Sequence, residues 1–74
     1  MQKGDVVKSL KGRDVGHVYV AVDVVGNVAY LADGRGRKVQ NPKKKNVKHL
    51  ETIASTQDFI ARDTEVRKYC KIKF

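Results

Sequence analysis

Two groups of side chains in this chain carry usable chemistry, and both are suited to holding an anion. Between Arg35 and Lys48 there are seven cations (Arg35, Arg37, Lys38, Lys43, Lys44, Lys45 and Lys48) and no acid. A run of this kind repels itself unless it is solvated or faces a polyanion. Each cation set against a phosphate releases condensed counterions, so the natural partner is a nucleic acid backbone. Lysine on phosphate positions a protein without reading sequence, whereas Arg35 and Arg37 can also stack or bind two oxygens at once. The second group runs from Lys11 to His17. Lys11 and Arg13 flank Gly12, and Asp14, Gly16 and His17 follow, giving a polar turn whose cations and backbone amides can grip a sugar-phosphate chain. Taken alone, this stretch fits an ordinary β-turn with surface charge equally well.

Other chemistries find little support. His17 and His49 are far apart in sequence and Cys70 is the single cysteine, so no metal site and no internal disulfide is expected. There is no Ser/His/Asp set, phosphate loop or paired carboxylate. Asp58 and Asp63 lie in the tail among basic residues. The expectation is a non-enzymatic protein without cofactor. Sixteen Lys and Arg against eight Asp and Glu give a net charge of +8. No apolar run approaches the roughly 20 residues of a membrane span, and Met1-Gln2-Lys3-Gly4-Asp5 lacks the apolar core of a signal peptide. These features predict a cytoplasmic monomer with no membrane partner. At 74 residues the chain has room for one small domain and hardly for a deep substrate cleft.

The elements that must position these residues read mainly as strands. Asp5 to Leu10 forms a first short run. Val18, Val20, Val22 and Val24 then alternate with His17, Tyr19, Ala21 and Asp23, the period of a β-strand. Gly26-Asn27 suits a tight hairpin, and Val28 to Asp33 returns. With a two-residue loop, Val25 faces Val28, Val24 faces Ala29 and Val22 faces Leu31. That register puts Val20, Val22, Val24, Ala29 and Leu31 on a core face, and Tyr19, Asp23 and Tyr30 on the opposite one. Tyr30 then becomes an outward aromatic that either stacks on an unpaired base or covers the core edge. A short strand is expected at Lys38-Val39-Gln40, broken by Asn41-Pro42, with Lys43, Lys44 and Lys45 in the following loop. Val47 to Glu51 reads as a closing strand. The fold class is all-β, a small SH3-like barrel of about five strands over residues 1–53. Residues 54–74 form an extension with a short helix starting near Asp63-Thr64-Glu65. Val66, Tyr69 and Cys70 share one face of that helix, and Arg67, Lys68 and Lys71 lie elsewhere. So short a helix has to pack on the barrel.

The residues also carry a resemblance. Gly4-Asp5-Val6-Val7, Leu10-Lys11-Gly12-Arg13-Asp14 and Gly16-His17-Val18 resemble a KOW motif with Gly16 as its central glycine. The pattern continues through Val22-Asp23-Val24 and Asn27 to Gly34, and reaches His49-Leu50-Glu51. It is similar to the KOW-bearing large-subunit ribosomal proteins of archaea and eukaryotes and their small bacterial relatives. The resemblance implies an SH3-like barrel that binds RNA, often ribosomal RNA, through the loops around the motif. Carried over, the RNA-facing positions are Lys11, Arg13, Asp14 and His17 around Gly16, with the basic residues after Gly34 extending the surface. The expected function is contact with ribosomal or other structured RNA, on or near the ribosome. The alternative is an SH3-like protein-recognition module of the translation or transcription machinery, since fold does not fix function.

Overall fold

The computed structural model describes residues 1–56, 59 and 62–70; Asp58 and Lys71 lie outside the described residues. Valine-rich segments pair first. β1 (Asp5–Ser9) lies antiparallel to β2 (Val18–Val25), and β2 turns at Gly26-Asn27 into β3 (Val28–Ala32). β4 (Lys43–Asn46) pairs with β3, and β5 (Leu50–Ser55) returns to pair with β1. The result is one five-stranded antiparallel sheet in the order β4-β3-β2-β1-β5. The last strand runs through position 53 to Ser55. A short helix, α1 (Asp63–Cys70), completes the all-β domain. No helix among the described residues is long and apolar enough to cross a membrane.

The hairpin keeps its expected register only near the turn. Val25 pairs with Val28 and Val24 with Ala29, but Asp23 then pairs with Tyr30 and Ala21 with Leu31. Val22 is the extra residue of a bulge, so the expected Val22–Leu31 pairing does not form. A one-residue insertion exchanges the two faces of the strand beyond it. Tyr19 and Ala21 therefore join Val7, Ala29, Leu31 and Leu50 in one buried cluster, against which Val24 and Val47 pack. Val20 and Val22 point the other way and join Val6, Ala32 and Val66. The single core face drawn from the alternation is thus two faces, both covered. Tyr19 is buried rather than outward, and Tyr30 is half-buried against the second cluster.

Three expected elements shift. Lys38-Val39-Gln40 is not a strand, and Val39 and Gln40 lie in a turn. The lysine triplet, expected in a loop, is itself strand β4, held by Ala29↔Lys45, Tyr30↔Lys44 and Leu31↔Lys43. Val47–His49 is a single 3-10 turn, and the closing strand begins only at Leu50. The side chain of Asn46 caps that turn by accepting from the Lys48 amide at 3.0 Å.

The helix face made by Val66, Tyr69 and Cys70 does seat α1 on the sheet, and Val66 is fully buried. Two contacts fix where it docks. The Val39 amide donates to Asp63 Oδ1 at 2.8 Å, so this carboxylate ties the helix to the β3–β4 loop. Gly34 has φ +77°, and a Cβ there would lie 2.5 Å from the Asp63 carbonyl oxygen and from Arg67 Cγ. Only glycine admits both that backbone and that approach.

Candidate nucleic-acid interface

The β1–β2 loop closes on itself before it can offer its backbone to a ligand. Gly16, at φ +84°, donates its amide to the Ser9 carbonyl (2.9 Å), and the Ser9 amide donates to that of His17 (3.0 Å). The amides of Val15 and His17 donate to the carbonyls of Gly12 and Asp14. Three of the amides that looked available for gripping phosphate are therefore used internally. The cations of the loop, Lys11 and Arg13, have exposed side chains.

Asp14, expected among the RNA-facing residues, is instead the anchor of a local network. Its Oδ1 accepts from Ser9 Oγ (2.9 Å) and Lys45 Nζ (2.6 Å), and its Oδ2 from the Tyr19 hydroxyl (2.8 Å) and Lys43 Nζ (2.9 Å). Lys45 also donates to Ser9 Oγ (2.7 Å) and to the Lys11 carbonyl (2.6 Å). An ammonium has three protons to donate, so Lys45 has none left for a phosphate. Burial alone would raise the Asp14 pKa, but the hydrogen bonds from Lys45, Lys43, Tyr19 and Ser9 outweigh it and hold the carboxyl far below the usual range. Burial and the Asp14 charge push the Tyr19 phenol upward. Strand pleating sends Lys44 to the other side of β4, where it is exposed and its ammonium sits 5.8 Å from the centre of the Tyr30 ring. The triplet thus divides into one committed lysine, Lys45, one partly exposed lysine, Lys43, and one free to meet solvent.

A second link joins the motif loop to the β3–β4 loop. His17 Nε2 lies 2.9 Å from Asp33 Oδ2, while Asp33 Oδ1 accepts the amides of Arg35 (2.8 Å) and Arg37 (3.0 Å). Burial opposes ionisation of Asp33, yet those amides and His17 lower its pKa overall. The His17 ring packs at a tilt on Tyr19, with centroids 4.5 Å apart. Both loops are therefore held at one end of the sheet. Around them Lys11, Arg13, Arg35, Arg37, Lys38 and Lys48 are exposed and make no ion pair with a described residue. His49, half-buried on the same side, is held toward its neutral form by burial and by Lys11, Lys48 and Lys45. No group of three or more His, Cys, Asp or Glu among the described residues could hold a metal ion.

No protein-family model matches the chain, and no curated protein matches it significantly.

The geometry adds residues that the sequence did not single out. A cleft of about 380 Å³ opens between α1 and the two loops, lined by Gly16, His17, Val18, Asp33, Arg35, Arg67 and Cys70. Arg67 and Cys70 come from the tail helix. Their faces on α1 were readable from the helical period, but nothing in the sequence said where the helix would dock. Burial, helped by the Asp33 charge and opposed by Arg35, pushes the Cys70 thiol up to about 11.

Proposed function

We propose that this chain is an RNA-binding module of the KOW type, built on an SH3-like barrel, that holds structured RNA mainly by its sugar-phosphate backbone. The observation that carries the reading is the convergence of exposed cations without ion-pair partners among the described residues. Lys11 and Arg13 from one loop, and Arg35, Arg37 and Lys38 from another, meet at one end of the sheet. The strand order, with β5 returning beside β1 and a 3-10 turn before it, supports the barrel. The net charge of +8 and the resemblance around Gly16 favour RNA, ribosomal RNA included, and a cytoplasmic role beside the ribosome. Phosphate contacts of this type fix orientation and carry little sequence information.

The test is a salt titration of affinity for a structured RNA hairpin. Changing Lys11, Arg13 and Arg37 together to Ala should flatten the slope of log K against log salt by about one unit for each phosphate no longer neutralised. An unchanged slope would remove this end of the sheet from the interface. A second reading has one observation in its favour. Leu10 and Val15 flank the motif loop and are 47% and 62% exposed, which is the apolar surface a protein partner would cover. Protein association that persists at high salt and fails in Val15→Ser would favour that reading.

A further inference from the structure

The cleft under α1 has two parts of different chemistry. One part sets the apolar side chain of Val18 and the thiol of Cys70 beside the polar His17 and Asp33. A neighbouring depression of about 280 Å³ is lined only by Arg35, Thr64, Arg67 and Lys68. The two share Arg35 and Arg67, so a pair of arginines stands between a partly apolar floor and a cationic, hydroxyl-bearing shelf. Asp33 lines the cleft and not the depression, and both its oxygens already accept or face donors, His17 on one and the amides of Arg35 and Arg37 on the other. With Nε2 directed at Asp33, His17 Nδ1 has no hydrogen-bond partner among the described residues, and the His17 side chain is 48% exposed. Glu65, one residue along the helix from Thr64, is paired with Lys68 at 3.3 Å.

We propose that this cleft takes one unpaired nucleotide, its base against Val18 and Cys70 beside the His17 edge, and its phosphate on the Arg35–Arg67 shelf. Arginine suits the phosphate because it can offer two parallel donors. A floor with apolar groups and a free ring nitrogen suits a base, which carries both a π-face and hydrogen-bonding edges. The proposal deepens the RNA-binding reading and rests on it for the source of the nucleotide. It gives the protein a preference for a bulged or looped site over a plain duplex, which backbone contacts alone do not provide. It also gives α1 a function, since the helix supplies one wall.

Two RNA hairpins that differ only by a single-nucleotide bulge test this, with the full chain as parent and Arg67→Gln as the variant. Gln preserves the stem that packs on Gly34 and is compatible with a helix. The parent should bind the bulged hairpin on the order of tenfold tighter, the effect of one well-held base. Arg67→Gln should lose that preference while its affinity for the plain hairpin changes by less than about threefold, roughly what one phosphate contact contributes. Equal binding of both hairpins by the parent, or an equal fall on both in the variant, overturns the proposal. If the parent binds neither hairpin, the RNA-binding reading itself fails, and a nucleoside monophosphate titration followed by amide NMR decides the cleft. Saturable shifts at Val18 and Cys70 that vanish in Arg67→Gln would support a site for free nucleotide, and their absence would overturn it.

Discussion

Replacing Asp14 by Ala is the sharpest test of how the basic strand is organised. The substitution removes a carboxylate that accepts four side-chain hydrogen bonds, two of them from lysines. The two ion pairs differ in weight. Asp14 and Lys45 are only 13% and 11% exposed, so losing Asp14 leaves a largely buried ammonium whose remaining acceptors are neutral. Such a change costs about 3–5 kcal/mol when burial is complete. Lys43 is 32% exposed and can rehydrate, so its share is about 0–1 kcal/mol. Residual exposure and the acceptors Lys45 keeps bring the expected total to about 3 kcal/mol. For a domain of this size each 1 kcal/mol shifts the melting temperature by about 4–8 °C, so a fall of roughly 12–24 °C is expected by circular dichroism. Asp14→Asn, which keeps shape without charge, should fall between parent and Ala. A cycle with Lys45→Met should show coupling on the order of 1–3 kcal/mol. If Asp14→Ala shifts melting by less than about 4 °C, the residue behaves as ordinary surface and the network does not organise the strand.

Other expectations follow from the same contacts. Gly34→Ala should destabilise by about 2–4 kcal/mol, combining left-handed strain with the clash against α1, whereas Gly16→Ala should cost only the strain, about 1–2 kcal/mol; thermal unfolding of the two compares them. Asp14 and Asp33 both have carboxyls held below their unfolded values. Their contribution to stability is therefore complete above pH of about 4 and is lost progressively as pH falls below it, because the unfolded chain takes up protons first. Melting temperature against pH should show this, with a shallower acid limb in Asp14→Asn. With burial pushing its thiol up to about 11, Cys70 should alkylate at neutral pH more slowly than a free thiol, and Gly34→Ala should speed that reaction by loosening the helix.

The architecture was legible wherever local signals agreed. Gly26-Asn27 placed the hairpin, valine alternation placed β2, and Val66, Tyr69 and Cys70 marked the face by which α1 docks. The alternation failed at Val22 because a bulge has no local signature in a run of β-branched residues. Every residue from Val18 to Val25 except Ala21, Tyr19 and Asp23 is a valine, so a slip of one costs little in hydrophobic pattern. What selects the bulged register lies across the sheet, where Tyr19 finds Asp14 for its hydroxyl and α1 covers the valines left on the other side. The lysine triplet misled for a related reason. Strand propensity is low for lysine, yet packing and pairing against β3 override it.

The candidate site was legible as charge but not as partition. Counting cations from Arg35 to Lys48 treats each as available, and the fold does not. Pleating gives Lys43 and Lys45 one side of β4 and Lys44 the other, and a single acid from a distant loop then decides how many charges remain to meet a phosphate. The same acid orients the loop that carries Lys11 and Arg13, since Lys45 reaches both Asp14 and the Lys11 carbonyl. Lys45 is thus better placed to hold the loop than to hold RNA. This separates the roles by experiment. Lys45→Ala should lower stability and weaken RNA binding only as far as the loop loosens, while Lys11→Ala should leave stability within about 0.5 kcal/mol and reduce the salt slope by about one. The opposite pattern, an intact fold with a reduced slope for Lys45→Ala, would mean that the ammonium leaves Asp14 for the RNA, and that the network is a latch the ligand opens.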